Sequence, residues 1–208
     1  MNLKEDVVLV ERADLAVLVV NGADRQTWLN GLVTCDLTKA VPERANYGLA
    51  TSQKGRVLAD VLVVIDPGAL RVVVPAARRE SLKAALEKYL VMEDVELELG
   101  ADVVAIAHGP KWQTLAREGV TVVEYDELGF GGALVLAPSL DVLDAPRLDE
   151  QEWNALRVER GVPRFRRISH HGRRGRRDRL TDERRDQPGK RADRGPRHAE
   201  AREDRTGH

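Results

Sequence analysis

One stretch of this chain places a carboxylate where the surrounding pattern predicts burial. Residues 54–60 (KGRVLAD) form a glycine turn that leads into a predicted strand, and Asp60 interrupts the apolar alternation of that strand. A carboxylate in a buried strand needs a partner, because an unpaired buried charge is costly. The partner is either a donor within the protein, as in a structural salt bridge, or a ligand.

A second stretch whose residues could bind a ligand or react is residues 156–161 (LRVERG), at the end of a predicted helix. Arg157 and Glu159 are two residues apart and point to different sides of a helix, so they do not simply pair with each other. Two interpretations remain open from the spacing. The residues form a solvated charged face, or they bind a ligand.

The common enzyme signatures are absent from the sequence, which contains no phosphate-binding glycine loop, metal-spaced His/Cys cluster or Gly-x-Ser-x-Gly motif. His108, the only histidine before residue 166, precedes Gly-Pro and is predicted to be a surface or structural residue rather than a base. Cys35 is the only cysteine. A single thiol excludes an intramolecular disulfide and supplies too few soft ligands for structural zinc, so no metal site is expected.

The composition changes abruptly after Phe165. The last 43 residues contain fourteen Arg, one Lys and only five apolar residues, which cannot build a core, so we predict a disordered basic tail. This tail carries 15 basic and 8 acidic residues, whereas residues 1–165 carry 18 and 26. An acidic start and the lack of a run of about 18 apolar residues predict a soluble, cytoplasmic protein without a membrane partner.

The hydrophobic periodicity predicts an α+β fold, an antiparallel or mixed sheet with helices packed on one face, close to a split βαβ pattern. We expect two lobes, about residues 1–100 and 101–165. The predicted strands are residues 7–10, 15–20, 45–51, 56–65, 70–74, 95–99, 103–107, 120–124 and 133–137; the predicted helices are residues 24–32, 80–91, 111–118 and one capped by Asp149.

Four segments together resemble the folate-binding family that joins the glycine-cleavage T-protein (aminomethyltransferase) to the YgfZ-like proteins. They are residues 29–36 (LNGLVTCD, similar to "FLQGQVTxD"), residues 54–60 (KGRVLAD), residues 108–110 (HGP, the family's "QGP") and residues 154–165 (NALRVERGVPRF, similar to "xLRIExGxPxxG"). They occur in the family's order and span nearly all of residues 1–165.

The resemblance implies a folate-binding fold with a tetrahydrofolate site between its lobes. It assigns Glu159, Asp60, Arg157 and Arg56 to that site, with Glu159 accepting hydrogen bonds from the pterin edge. One carboxylate can accept the neighbouring N3–H and 2-amino groups together. It also implies a role, in the complete protein, in iron–sulfur protein assembly or repair and in tRNA modification, with iron–sulfur proteins as partners.

Two departures from the family pattern bear on activity. Aminomethyltransferases carry an acidic pair where this chain has Ala59 and Asp60, which disfavours aminomethyl transfer, the alternative function. After Phe165 the YgfZ signature "KGCYxGQE" and the C-terminal β-barrel are missing, and the arginine-rich run that follows predicts a truncation or a shifted reading frame. The tail offers a third function, nucleic-acid binding, but its interspersed acids and lack of aromatic residues argue against it.

Overall fold

The computed structural model describes residues 5–162, which form two antiparallel sheets with three short α-helices. The strands are β1 (Val8–Glu11), β2 (Leu15–Asn21), β3 (Asn46–Thr51), β4 (Val57–Ile65), β5 (Leu70–Pro75), β6 (Glu96–Leu99), β7 (Val103–His108), β8 (Thr121–Glu124) and β9 (Gly132–Ala137), and the helices are α1 (Arg25–Asn30), α2 (Arg79–Leu86) and α3 (Glu150–Glu159). The predicted α+β class is confirmed.

The larger sheet has the order β3-β4-β5-β2-β6, and its two faces pack differently. Alternate residues of β4, such as Val61 and Val63, share a core with Leu29 of α1 and with Leu82 and Leu86 of α2. The intervening residues point to the opposite face, because side chains alternate along a strand. The expected covering of one sheet face by helices is therefore observed.

The smaller sheet has the order β1-β7-β9-β8, so β1 pairs with a strand about a hundred residues later rather than with β2. Leu134 and Leu136 of β9 pack against Leu62 and Val64 of the larger sheet. The other face of β9 packs against 3-10 turns that supply Leu115 and Leu140 among other residues. Both faces of β9 are thus buried, which explains its unbroken apolar sequence.

Short irregular segments cover three of the four sheet edges. The Leu9 amide of β1 donates to Pro146, the Ala45 amide donates to Glu124 at the end of β8, and the Thr51 amide of β3 donates to Leu32. The outer edge of β6 is not paired with any segment between residues 5 and 162.

Two predicted helices differ from the observed elements. The helix predicted for residues 111–118 is a 3-10 turn, Trp112–Leu115, because its two apolar side chains are three residues apart and suit three residues per turn. The helix predicted for residues 80–91 ends at Leu86 and continues as one 3-10 turn.

None of the helices described in residues 5–162 is long and apolar enough to cross a bilayer.

Candidate functional site

Asp60 lies on β4 beside an irregularity in the strand pairing. Ala59 pairs with Ala50 but Val57 pairs with Thr51, so Leu58 is an extra residue, a β-bulge of the kind that often re-aims side chains next to functional sites. Because Ala59 belongs to the helix-covered core, Asp60 points to the face that packs on the smaller sheet. Asp60 is half-buried, accepts no hydrogen bond from residues 5–162, and burial raises its pKa.

Two tyrosines accompany Asp60. Tyr47 of β3 is paired with Leu62, which places it diagonal to Asp60 on the same sheet face, and its side chain is 60% exposed. Tyr125 follows β8 and is half-buried. Burial, with a smaller contribution from the Asp60 charge, raises the pKa of Tyr47. Burial, followed by the charge of Glu127, raises the pKa of Tyr125 to about 12. The arrangement offers a carboxylate that can accept hydrogen bonds next to aromatic surface.

A buried ion cluster continues from Tyr125. Arg12 donates from Nε and Nη2 to Asp14 at 2.9 and 3.1 Å, and its Nη1 lies 3.6 Å from Oε2 of Glu127. The pKa of Glu127 is raised because burial outweighs the opposing effect of Arg12. Tyr125 interacts electrostatically with both Glu127 and Arg12.

Arg157 on α3 acts electrostatically on the same cluster. Its Nε donates to Oδ1 of Asn154 at 2.8 Å, its Nη1 donates to the Val162 carbonyl at 3.4 Å, and its charge acts on Glu127. We call the connected set the polar band; its members are Tyr47, Asp60, Tyr125, Arg12, Asp14, Glu127 and Arg157.

The polar band contains two of the four residues predicted for the site. Asp60 and Arg157 belong to it, although they are almost a hundred residues apart in sequence. Glu159, the last residue of α3, and Arg56, in the turn before β4, are exposed, and their side chains make no hydrogen bond or ion pair within residues 5–162. Arg157 is partly buried while Glu159 is exposed, in agreement with their predicted orientation to different sides of the helix.

His108 and Trp153 attach α3 to the smaller sheet. The two rings are stacked with centroids 4.9 Å apart, and the Arg12 guanidinium carbon lies 5.9 Å from the Trp153 ring centroid. His108 is the last residue of β7 and is fully buried, so its predicted structural role is supported and a surface location is wrong. Burial, assisted by the charge of Arg12, lowers the pKa of His108 to about 4.

The lowered pKa makes the fold sensitive to acid. Between about pH 6.5 and pH 4, His108 is protonated in the unfolded chain but neutral in the folded chain. The free energy of unfolding therefore falls as the pH decreases through that window. From pH 7 to pH 4.5, the wild type should lose roughly 2 to 3 kcal/mol more unfolding free energy than His108→Phe, which keeps the stacked ring. Urea titrations at both pH values measure the difference; equal losses in the two proteins would contradict it.

Five members of the polar band, Tyr47, Tyr125, Arg12, Asp14 and Glu127, were not identified from the sequence. They come from strands and connections that are distant along the chain, and no local spacing links them. A shallow cleft of about 380 Å³ beside the start of α2 shares no residue with the band. Three of its five lining residues are alanine; the members are Ala16, Ala76, Ala77, Arg79 and Glu80.

The fold identifies the class of protein. It is similar to the structure of the glycine cleavage system aminomethyltransferase T from Bartonella henselae, with a TM-score of 0.56 and 14% identity over 64% of this chain and 42% of that one. Residues 1–133 match the model of the GCVT N-terminal domain family, and the chain belongs to that family.

Relatives with curated names add a narrower resemblance. The chain is 22% identical to the tRNA-modifying protein YgfZ of Sodalis glossinidius over 76% of this chain and 55% of that protein. It is 29% identical to an aminomethyltransferase of Chromobacterium violaceum over 52% of this chain and 31% of that enzyme. The predicted membership of the glycine-cleavage T-protein family is confirmed by the match of residues 1–133. The chain spans about half, or less, of the length of these relatives.

Proposed function

We propose that this chain is a YgfZ-like protein that binds tetrahydrofolate at the polar band. The observation that carries the proposal is Asp60, a half-buried carboxylate next to two tyrosines with no hydrogen-bond donor from residues 5–162. A reduced folate supplies flat rings and several N–H donors, which suit a carboxylate with aromatic neighbours. In the complete protein the proposed role is in iron–sulfur protein assembly or repair and in tRNA modification.

The proposal uses the four predicted site residues in two ways. Asp60 and Arg157 contact the ligand from the two ends of the polar band. Glu159 and Arg56 are exposed and available, and the proposal retains Glu159 as the acceptor for the pterin edge. We also propose that the ligand lies between two lobes, as the resemblance implies.

Binding can be tested through ligand-induced stabilisation. Tetrahydrofolate at 100 times its Kd should raise the unfolding free energy of the wild type by about 2.7 kcal/mol, measured by urea titration under reducing, anaerobic conditions. Asp60→Asn and Glu159→Ala should each abolish that increase. The control is Glu96→Ala, which removes an exposed carboxylate on β6 and should leave the increase intact.

The variants separate the parts of the proposal. Absence of any stabilisation of the wild type would contradict folate binding by this chain. If tetrahydrofolate stabilises Glu159→Ala as much as the wild type but does not stabilise Asp60→Asn, then Asp60 belongs to the site and Glu159 does not.

Aminomethyl transfer is the alternative function, favoured by the resemblance to an aminomethyltransferase. The site argues against it, because Ala59 is buried in the helix-covered core where the transferases carry the second acid. An assay of methylene-tetrahydrofolate formation from an aminomethylated lipoyl carrier should give no product.

The third function, nucleic-acid binding by the basic tail, concerns residues outside those that the structure describes, as does the predicted disorder of that tail.

A further inference from the structure

Phe130 lies in a loop whose backbone is fixed on both sides of the aromatic residue. Its neighbours are Gly129 and Gly131, which have φ angles of 77° and 79°. The amides of both glycines donate to the Asp126 carboxylate, at 2.7 and 3.0 Å. Since one side chain satisfies two backbone donors of the loop between β8 and β9, that loop has a defined shape.

A second segment supports the same loop. The Gly109 amide, in the turn that follows β7, donates to the Gly131 carbonyl at 2.9 Å. This turn is the HGP segment, residues 108–110, and a Cβ added at Gly131 would lie 3.6 Å from Cα of Pro110. The position of Phe130 is therefore set by contacts from the end of β7 as well as by contacts within its own loop.

The ring of Phe130 stacks on the guanidinium of Arg160. The guanidinium carbon lies 3.7 Å from the ring centroid, well within the range of a cation–π contact. No hydrogen bond or ion pair within residues 5–162 involves that guanidinium. Phe130 is half-buried and packs against the small core that contains Leu128 and Trp153. The stacked pair thus connects this core to the end of α3.

Arg160 belongs to the last turn of α3. The amides of residues 160–162 donate to carbonyls of residues 156–158, which closes the helix. Glu159 lies in this turn, and its exposed side chain makes no hydrogen bond or ion pair within residues 5–162. The position of its carboxylate therefore depends on where the backbone of the turn is held. A contact that fixes Arg160 also restricts Glu159, its neighbour.

We infer that Phe130 and Arg160 are positioning residues, which hold the last turn of α3, and with it Glu159, against the loop between β8 and β9. The inference rests on the proposed function, in which Glu159 accepts hydrogen bonds from the pterin edge. Neither positioning residue needs to touch the ligand. Because cation–π contacts at exposed sites are modest, their loss should change affinity severalfold rather than abolish binding.

The stacked pair can be observed without a ligand. Side-chain protons of Arg160 lie near the face of the Phe130 ring, where the ring current shifts their NMR signals upfield. Phe130→Leu keeps an apolar side chain but should remove that shift and make amide exchange at residues 160–162 about threefold faster. Phe130→Tyr keeps the ring and should behave as the wild type. Exchange at the Trp153 amide, near the start of α3, is the internal reference and should not change.

Affinity for tetrahydrofolate provides the second readout. The Kd should rise about threefold in Phe130→Leu and in Arg160→Gln, and it should keep the wild-type value in Phe130→Tyr. In the double variant the Kd should rise no further than in Phe130→Leu alone, because Arg160 acts through the ring. The matched control is Arg78→Gln, which removes an exposed arginine before α2 and should leave the Kd unchanged.

The outcomes separate the positioning role from folate binding itself. If Arg160→Gln weakens binding equally with and without the Phe130 ring, Arg160 acts on the ligand through its charge and the positioning role is wrong. An unchanged Kd in Phe130→Leu would also overturn that role, while the proposed function would stand. If the wild type does not bind, the proposed function fails, and unchanged exchange at residues 160–162 in Phe130→Leu would show that the stack does not hold the turn either.

Discussion

Gly22→Ala should unfold or severely destabilise this protein. Gly22 has a φ of 102°, which L side chains rarely adopt, and an added Cβ would lie 2.0 Å from the carbonyl oxygen of Asp94 and 2.9 Å from Cα of Val95. The backbone cannot move away easily, because the amides of Ala23 and Asp24 donate to the side chain and the carbonyl of Asp94. We expect a loss of about 3 kcal/mol or more in unfolding free energy, from strain and overpacking together.

Two other glycines provide matched controls for that measurement. Gly119 also has a positive φ, 76°, but nothing lies within 4 Å of its added Cβ, so Gly119→Ala isolates the backbone strain. Gly68 has open space, and Gly68→Ala should be close to neutral. Urea or thermal unfolding should show the largest loss of unfolding free energy for Gly22→Ala, a smaller loss for Gly119→Ala and the smallest for Gly68→Ala. A Gly22→Ala protein as stable as Gly119→Ala would show that the contact with Asp94 is not rigid.

Trp153→Ala is the second change with a large expected effect, because it removes the main attachment of α3. Trp153 is 3% exposed and shares a small core with Val10 and Leu128, stacked on His108. Truncation of a buried tryptophan typically costs about 3 to 5 kcal/mol. We expect α3 to detach, which hydrogen exchange would report as loss of protection in residues 150–159.

Two variants on the same helix and at the same position sharpen that test. Val158 is 66% exposed, so Val158→Ala should change the unfolding free energy by no more than about 0.5 kcal/mol. Trp153→Phe should cost less than Trp153→Ala, since the Trp153 Nε1 atom has no hydrogen-bond partner within residues 5–162 to lose. Retained protection of residues 150–159 in Trp153→Ala would mean that Leu156 and its neighbours suffice to hold the helix.

Local pattern was enough to predict most of the strands. The meander from β3 to β5 follows from apolar alternation and from turn residues, and the observed bounds differ from the predicted ones by about one residue. The start of α3 was equally predictable, because Asp149 and Glu152 form a capping box. Residues 111–118 were misassigned since two apolar residues at a spacing of three satisfy both an α-helix and a 3-10 turn.

The candidate site was predictable only where one residue breaks a local pattern. Asp60 stands out inside an apolar strand, and Arg157 stands out within a recognisable motif. No local signal marks Arg12, Tyr125 or Glu127. They come together only because β1 pairs with β7, which brings the connection after β1 close to residues 125–127. Pairing over about a hundred residues is set by global packing, which a window of sequence does not contain.

The outer edge of β6, with which no segment of residues 5–162 pairs, affects how copies of this protein meet. An open edge presents backbone groups that can pair with another strand and start aggregation. β6 is only four residues long and carries Glu96 and Glu98 on its exposed side, so two such edges would bring like charges together. Edge-to-edge association should therefore be weak. Neutralising both charges with Glu96→Gln and Glu98→Gln would remove this protection.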